Sequence, residues 1–503
     1  MTANSSYAEL KARLAKIQDL NAVEGLLGWD QQTIMPANAN DVRSAQIATI
    51  TGLAHEMFTA DETGRLLDAA AKETAESDPE SDEASLVRVT RRDWDRARRV
   101  PNELAAEMAL ASGEGYEAWK HARENADFKA FFPYLEKMIE LKRRYVACFP
   151  EVAEPWDALF EDYEPGMTAA EVKTVFARVQ EGLTPLMKLV ADNQDAVDDS
   201  AMHGHFPAAQ QEKLSRRLLG HWGFNDAGWR LDPTAHPFAS SAATTDVRIT
   251  TRYDEGFLNS SLFGTLHECG HGMYEAGVSP TLERTPLCHG VSLGLHESQS
   301  RMWENLIGRS RDYWRFAYPI LLEEFPEQFK GVSEEQIHRA VNKMAPSLIR
   351  VEADEASYTL HIIIRFELEL AIFRGEIQAS DLEEAWNAKY KEYLGLDVPD
   401  AARGVLQDVH WSVGLLGYFP CYALGNIISC QIWDRMNREI SDINGKIAAG
   451  EFAPLQDWLR EHLWRYGRKF TPKQMIERAA GEPLNPEPYL AYLTDKVTSV
   501  YGS

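Results

Sequence analysis

Apolar residues recur three and four positions apart over Tyr7–Leu20, Val42–Phe58, Ala84–Arg99, Tyr134–Val146, Ala169–Val190 and Val332–Met344, which predicts a chain of amphipathic helices. Turn-rich stretches, Glu76–Glu83 and Asp192–Asp199, separate several of them, and Asn102 after Pro101 is placed to cap the next helix. One region breaks the helical pattern. Between Gly228 and Asn259, Pro233, Pro237 and a Ser/Thr cluster precede Asp246–Tyr253, whose alternating polar and apolar residues predict a short strand in a small sheet. An edge strand there could hold an extended peptide by main-chain hydrogen bonds. No Gly/Ser linker divides the chain, so residues 1–503 read as one catalytic unit around a cleft, with two helical lobes as the variant form.

Leu262–Ala276 reads as a helix, with Asn259 or Ser260 as its cap and Gly277 as its stop. It contains His267-Glu-Cys-Gly-His271, an HExxH pattern that chance would produce about 0.04 times in a chain with these residue frequencies. Residues four apart share a helix face, so both imidazoles can reach one cation while Glu268 lies beside it. The bland reading is a solvated face with two ordinary histidines. A catalytic zinc needs a third protein ligand and an open position. Glu297, in the helical stretch Leu295–Asn305, supplies a carboxylate after an interval long enough for an antiparallel return. His296 competes, but its side chain points about 100° away from that of Glu297, and packing or hydrogen bonding behind the site suits it better. Cys269 lies nearly across the helix, as a packing thiol would.

Charge and cysteine usage narrow the partners. Asp and Glu outnumber Lys and Arg by 77 to 52, for a net charge of -25, which repels nucleic acid and anionic membranes. The N-terminal stretch from Met1 to Leu20 lacks the apolar run of a signal peptide or membrane span. Five scattered cysteines, Cys148, Cys269, Cys288, Cys421 and Cys430, without CxxC spacing indicate neither a disulfide framework nor a thiolate zinc site, so cytoplasmic residence is expected.

Six blocks in order then carry a resemblance: His236-Pro-Phe238, Asp246-x-Arg248-x-Thr250, the HExxH, His296-Glu-Ser-Gln299, Ile349-Arg-x-x-Ala-Asp354 and Gly404-x-x-Gln-Asp-x-His-Trp411. With LLGWDQQTIMP near the start and GEPLNPEPYL near the end, the chain closely resembles the carboxypeptidase Taq family of metallocarboxypeptidases. The resemblance implies a mainly α, saddle-like homodimer with a long active-site groove and a small β-sheet next to the HExxH helix. It implies release of C-terminal residues with broad specificity, Zn2+ on His267, His271 and Glu297, and Co2+ as a substitute.

On that reading Glu268 is the general base, passing the proton of the attacking water to the leaving amine. His410 and Tyr418 are candidates for stabilising the tetrahedral intermediate, since related helical zinc peptidases use a His and a Tyr similarly placed; without the resemblance, packing of His410 beside Trp411 and of Tyr418 in the core is the favoured reading. Arg350 is the candidate anchor for the substrate carboxylate, because a guanidinium makes two charge-assisted hydrogen bonds to it. Its neighbourhood, Ser347–Asp354, reads as helical, and an internal ion pair with Glu352 or Asp354 is the alternative. His236 and Arg248 are assigned to substrate contact or to closing the groove. An endo-acting zinc oligopeptidase and a non-catalytic helical scaffold are the competing functions. An aminopeptidase fits less well, because no GxMEN-like block precedes the HExxH.

Overall fold

A computed structural model describes residues 5–502; the first four residues of the N-terminal stretch and Ser503 lie outside the described residues. Helices make up 67% of it, around a sheet of three strands, so the expectation of a mainly α chain with a small sheet holds. Strands β1 (Trp229–Pro233), β2 (Ala239–Ala243) and β3 (Asp246–Thr251) run in the order β1-β3-β2, with β1 parallel and β2 antiparallel to β3. The strand expected from alternation is therefore the middle one, paired on both sides. β3 offers no free edge, because its six residues are already bonded to β1 and β2; a peptide-binding edge would have to be β1 or β2. Val247 and Ile249 on β3 are fully buried, and the HExxH helix (Leu258–Gly277) packs against this strand.

The helices start and stop where local chemistry dictates. Ser81 and Thr168 accept hydrogen bonds from the first turns of Asp82–Arg99 and Ala169–Asp192. Helix Phe128–Val146 begins earlier than its periodicity suggested, since Asp127 caps it and Pro133 is tolerated inside. Asn102 is the first helical residue rather than a cap. The HExxH helix opens directly after Phe257, behind a turn in which Gly256 N donates to Asp254 Oδ1 at 2.8 Å, so Asn259 and Ser260 lie inside its first turn. Among the described residues, no helix is long and apolar enough to cross a membrane.

Two clusters of buried apolar side chains organise the chain. The large one runs from Leu104 to Tyr501 and includes Leu262, Leu266 and Met273 of the HExxH helix. The smaller one gathers Leu10, Leu14, Ile17, Leu67 and Leu86 from the N-terminal helices around Val278, Leu282 and Leu287, just beyond the same helix. Residues on either side of Gly277 thus join the two. At the centre of the large cluster lies helix Tyr358–Arg374, which is buried on almost every face and carries His361, Arg365 and Glu369 into the interior.

Candidate active site

Three helices build the site. The Glu297 helix (Leu293–Arg301) lies between the HExxH helix and helix Pro420–Glu439. Its closeness to both depends on glycine. A Cβ at Gly270 would come within 2.7 Å of Gln299 O and Ser300 Cα, and a Cβ at Gly425 would collide with Glu297 Cγ. With neither present, the stem of Glu297 lies flat against one neighbour while its carboxylate reaches the other.

The result is a tight donor cluster. His267, His271 and Glu297 each offer an atom such that all three lie within 4.8 Å of one another. Glu297 Oε2 is 3.6 Å from His267 Nε2 and 3.4 Å from His271 Nε2. The other ring nitrogens face away and are tied down. His267 Nδ1 lies 2.9 Å from Glu304 Oε2, which can only accept, so Nδ1 carries the proton and Nε2 presents its lone pair. His271 reaches a carboxylate indirectly: its Nδ1 is 2.6 Å from His296 Nδ1, and His296 Nε2 is 2.9 Å from Glu275 Oε1. With Glu275 accepting from Nε2–H of a neutral His296, the Nδ1 of His296 accepts from His271, whose Nε2 is then free. Glu275 also accepts from Gly290 N and Ser241 Oγ, which fixes the end of this relay to the sheet and to the following loop.

Two imidazole nitrogens and one carboxylate oxygen, with no fourth protein ligand in the cluster among the described residues, fit a zinc ion with an open position, and the same nitrogen and oxygen donors suit cobalt. The imidazoles are unequal. Burial lowers His271 to about 4, whereas for His267 the same burial is outweighed by the carboxylates of Glu297 and Glu304. Glu268 is buried beside them and makes no hydrogen bond to any described residue; burial pushes its carboxyl up to about 7, with His267 pulling it down.

Arg350 stands one tyrosine away. It sits in a single 3₁₀ turn (Arg350–Glu352), not the longer helix expected of Ser347–Asp354, because Asp354 spends its carboxylate on the backbone N–H groups of Ala345, Ala356 and Ser357 and so organises a loop. Neither Glu352 nor Asp354 is its ion-pair partner. Arg350 Nε and Nη2 donate to Asp408 Oδ1 at 3.0 and 2.8 Å, and Nη1 donates to Tyr358 OH at 2.9 Å. Two of its five N–H donors have no acceptor among the described residues. Arg365 donates to the other oxygen of Asp408 at 2.7 Å, so two buried guanidiniums share one carboxylate and the group keeps a net positive charge. The ring of Tyr358 meanwhile lies 4.5 Å under the guanidinium of Arg301, which donates to Glu297 Oε1 at 2.7 Å.

His410 and Tyr418 are neighbours, with ring centroids 5.4 Å apart. His410 Nε2 is 3.3 Å from Tyr422 OH, while its Nδ1 has no hydrogen-bond partner among the described residues and lies 4.0 Å from Asp408 Oδ1. Burial lowers His410 to about 3, against the pull of Asp408, so the imidazole is neutral near pH 7. Burial above all, with smaller contributions from neighbours that include Glu297, raises the Tyr418 phenol to about 12. His236 is exposed, and Arg248 is bound to Asp246 on its own strand and lies over Trp29 at 4.4 Å. No hydrogen bond joins either of them to the metal cluster or to Arg350 among the described residues.

The sequence reading assigned no role to Glu275, Arg301, Glu304, Arg365 or Asp408. Spacing carried a signal for three of them. Glu275 continues the face of His267 and His271 by four residues, and Arg301 and Glu304 stand four and seven positions after Glu297.

Comparison with known proteins agrees with this geometry. The family model described as carboxypeptidase Taq (M32) metallopeptidase matches residues 9–497. A thermostable carboxypeptidase 1 of Thermus thermophilus is 41% identical, with all of both chains covered, and carboxypeptidase 1 of Bacillus subtilis is 37% identical over 97% of each. The crystal structure of an M32 carboxypeptidase from Deinococcus radiodurans, 40% identical, superposes with a TM-score of 0.96 over 99% of this chain and 100% of that one. A carboxypeptidase structure from Pyrococcus furiosus gives 0.94 at 33% identity, over 98% and 99%. The chain belongs to the carboxypeptidase Taq (M32) metallopeptidase family and is a metallocarboxypeptidase.

Proposed function

We propose that this enzyme is a zinc carboxypeptidase that removes single residues from peptide C-termini with broad specificity, using Glu268 as general base. The observation that supports exo action most directly is Arg350, a buried guanidinium held in place by Asp408 with two N–H donors unspent. Those donors can take a carboxylate, and every peptide C-terminus has one whatever its side chain, which is why such an anchor goes with broad specificity. Zinc, when bound by His267, His271 and Glu297, would polarise the scissile carbonyl and acidify a water. Glu268, whose carboxyl has no hydrogen-bond partner among the described residues, is the group we assign to accept that water's proton and return it to the leaving amine. His410, neutral and with Nδ1 unpartnered, and Tyr418 next to it are the donors we assign to the developing oxyanion.

We further propose that residues 1–503 act as one catalytic unit, since both apolar clusters meet at the HExxH helix. Five unpaired thiols suit the cytoplasm. The homodimer rests on the resemblance alone and is checked by sedimentation. His236 and Arg248 are proposed as supports of the groove wall, Arg248 through its stack on Trp29.

The test uses an N-blocked peptide and its C-terminal amide, each incubated with the purified enzyme with and without chelator, and products identified by mass. Stepwise loss of C-terminal residues from the free acid alone, abolished by chelation, is expected. Internal cleavage of both peptides would overturn exo action in favour of an oligopeptidase, and no cleavage by zinc-loaded protein would leave the scaffold.

A further inference from the structure

One buried cation in the site has no part in the chemistry described so far. Arg301 is largely enclosed, its side chain 14% exposed, and it stands among carboxylates that a divalent ion would also attract. A fixed positive charge there opposes cation binding, so its presence calls for a benefit of another kind.

The geometry points to Arg301 as a positioning residue that holds Glu297 to a single metal-facing oxygen and, through Glu304, fixes the ring of His267. Arg301 Nε donates to Glu297 Oε1 at 2.7 Å, which leaves Oε2 as the oxygen turned toward both imidazoles; Ser300 Oγ sits 3.2 Å from that Oε2. Arg301 Nη1 donates to Glu304 Oε2 at 3.2 Å, the same oxygen that accepts from His267 Nδ1. One guanidinium therefore governs two of the three ligands. The sequence achieves this by placing Glu297, Arg301 and Glu304 at successive turns of one helix face, with a π-helical stretch beginning at Met302. The planar fork of arginine is essential to the idea. Two donors at a fixed angle reach two carboxylates at once, whereas an ammonium supplies the charge without that geometry.

This inference rests on the reading that the triad holds a divalent metal, and the experiment separates the two. Metal-free wild type, Arg301→Lys and Arg301→Gln are titrated with Zn2+ against a chromophoric chelator and with Co2+ by visible absorption. Both variants are expected to bind Zn2+ about 10- to 100-fold more weakly. They should also show weaker Co2+ bands, as the freed Glu297 offers both oxygens and raises the coordination number. Arg301→Lys matching wild type in affinity and spectrum would overturn the inference, since charge alone would then suffice. So would wild-type values for both variants. A wild type that binds neither ion overturns the metal reading itself, and the inference with it, before any variant is compared. Should the variants melt during purification, zinc-soaked crystals of the wild type decide the matter. One Glu297 oxygen toward the ion and the other on Arg301 is expected, and both oxygens on the ion would refute it.

Discussion

Asp408 is the residue that holds Arg350, the proposed carboxylate anchor, and Asp408→Asn tests that dependence with almost no change in volume. In the native protein Asp408 Oδ1 takes two donors from Arg350 and Oδ2 takes Arg365, both arginines being buried and the Asp408 side chain 9% exposed. Despite burial, the two guanidiniums hold Asp408 well below the usual carboxylate range, so it stays ionised at every pH at which the enzyme would be assayed. Removing its charge strands two buried cations, and breaking a buried pair costs about 3–5 kcal/mol. The loss is not shared evenly. Arg365 keeps Gln407 Oε1 at 2.8 Å and His361 O at 2.7 Å, whereas the side chain of Arg350 keeps only Tyr358 OH. At about 2.1 cal/mol/K of unfolding entropy per residue, 503 residues give roughly 1 kcal/mol/K, so the midpoint should fall by about 3–5 °C. KM for free-acid peptides should rise by about ten-fold or more, the equivalent of one charge-assisted hydrogen bond, while KM for amidated peptides moves less. Calorimetry at pH 7 and paired kinetics on acid and amide substrates measure both effects. A midpoint within 1 °C of wild type together with unchanged KM would show that Arg350 is positioned by something else.

Three further outcomes are expected. Glu268→Gln should keep zinc at wild-type stoichiometry by elemental analysis and lose about 10²- to 10⁴-fold in kcat; full activity would remove Glu268 from the mechanism. His296→Ala cuts the link from His271 to Glu275 and should weaken zinc binding by about 10- to 100-fold in chelator competition, an unchanged affinity meaning that the relay is idle. Glu369 is fully buried, and burial raises its carboxyl from 4.5 to about 7 against the hydrogen bonds donated by Trp156, Trp411 and Gly417 N. A raised carboxyl holds its proton in the folded state where the unfolded chain has lost it. Its contribution is therefore full below pH 4.5 and lost as pH rises toward 7, about 3 kcal/mol in all. Melting curves from pH 5 to 8 should be flatter for Glu369→Gln than for wild type, and parallel curves would refute the assignment.

What the sequence disclosed and what it withheld divide along the distance over which each feature is specified. His267, His271 and Glu268 occupy one turn, so helix geometry alone brings them together, and the alternation of Val247 and Ile249 marks a strand wherever it pairs. Pairing partners were another matter: nothing in Asp246–Thr251 says that β1 and β2 flank it, and so the strand read as a candidate edge proved central. Helix Tyr358–Arg374 left no amphipathic trace because it is buried on almost every face. Its Arg365 and Glu369 sit among Ile and Leu in a pattern that reads as neither stripe nor loop, and only their partners, Asp408 and the indoles of Trp156 and Trp411, explain why charge is tolerated there. Arg350 shows the same limit from the other side. Two acidic residues within four positions made a local ion pair the obvious alternative to substrate binding, yet the carboxylate that holds it comes from 58 residues away. That choice of partner matters chemically. A pair with Glu352 or Asp354 would have moved with the loop, whereas Asp408 is itself fixed by Arg365 on the central helix, so the anchor proposed at Arg350 is tied to a deeply buried element of the fold. On the proposed role, a guanidinium that takes every peptide end alike needs that rigidity, because it has no side-chain contact to rely on.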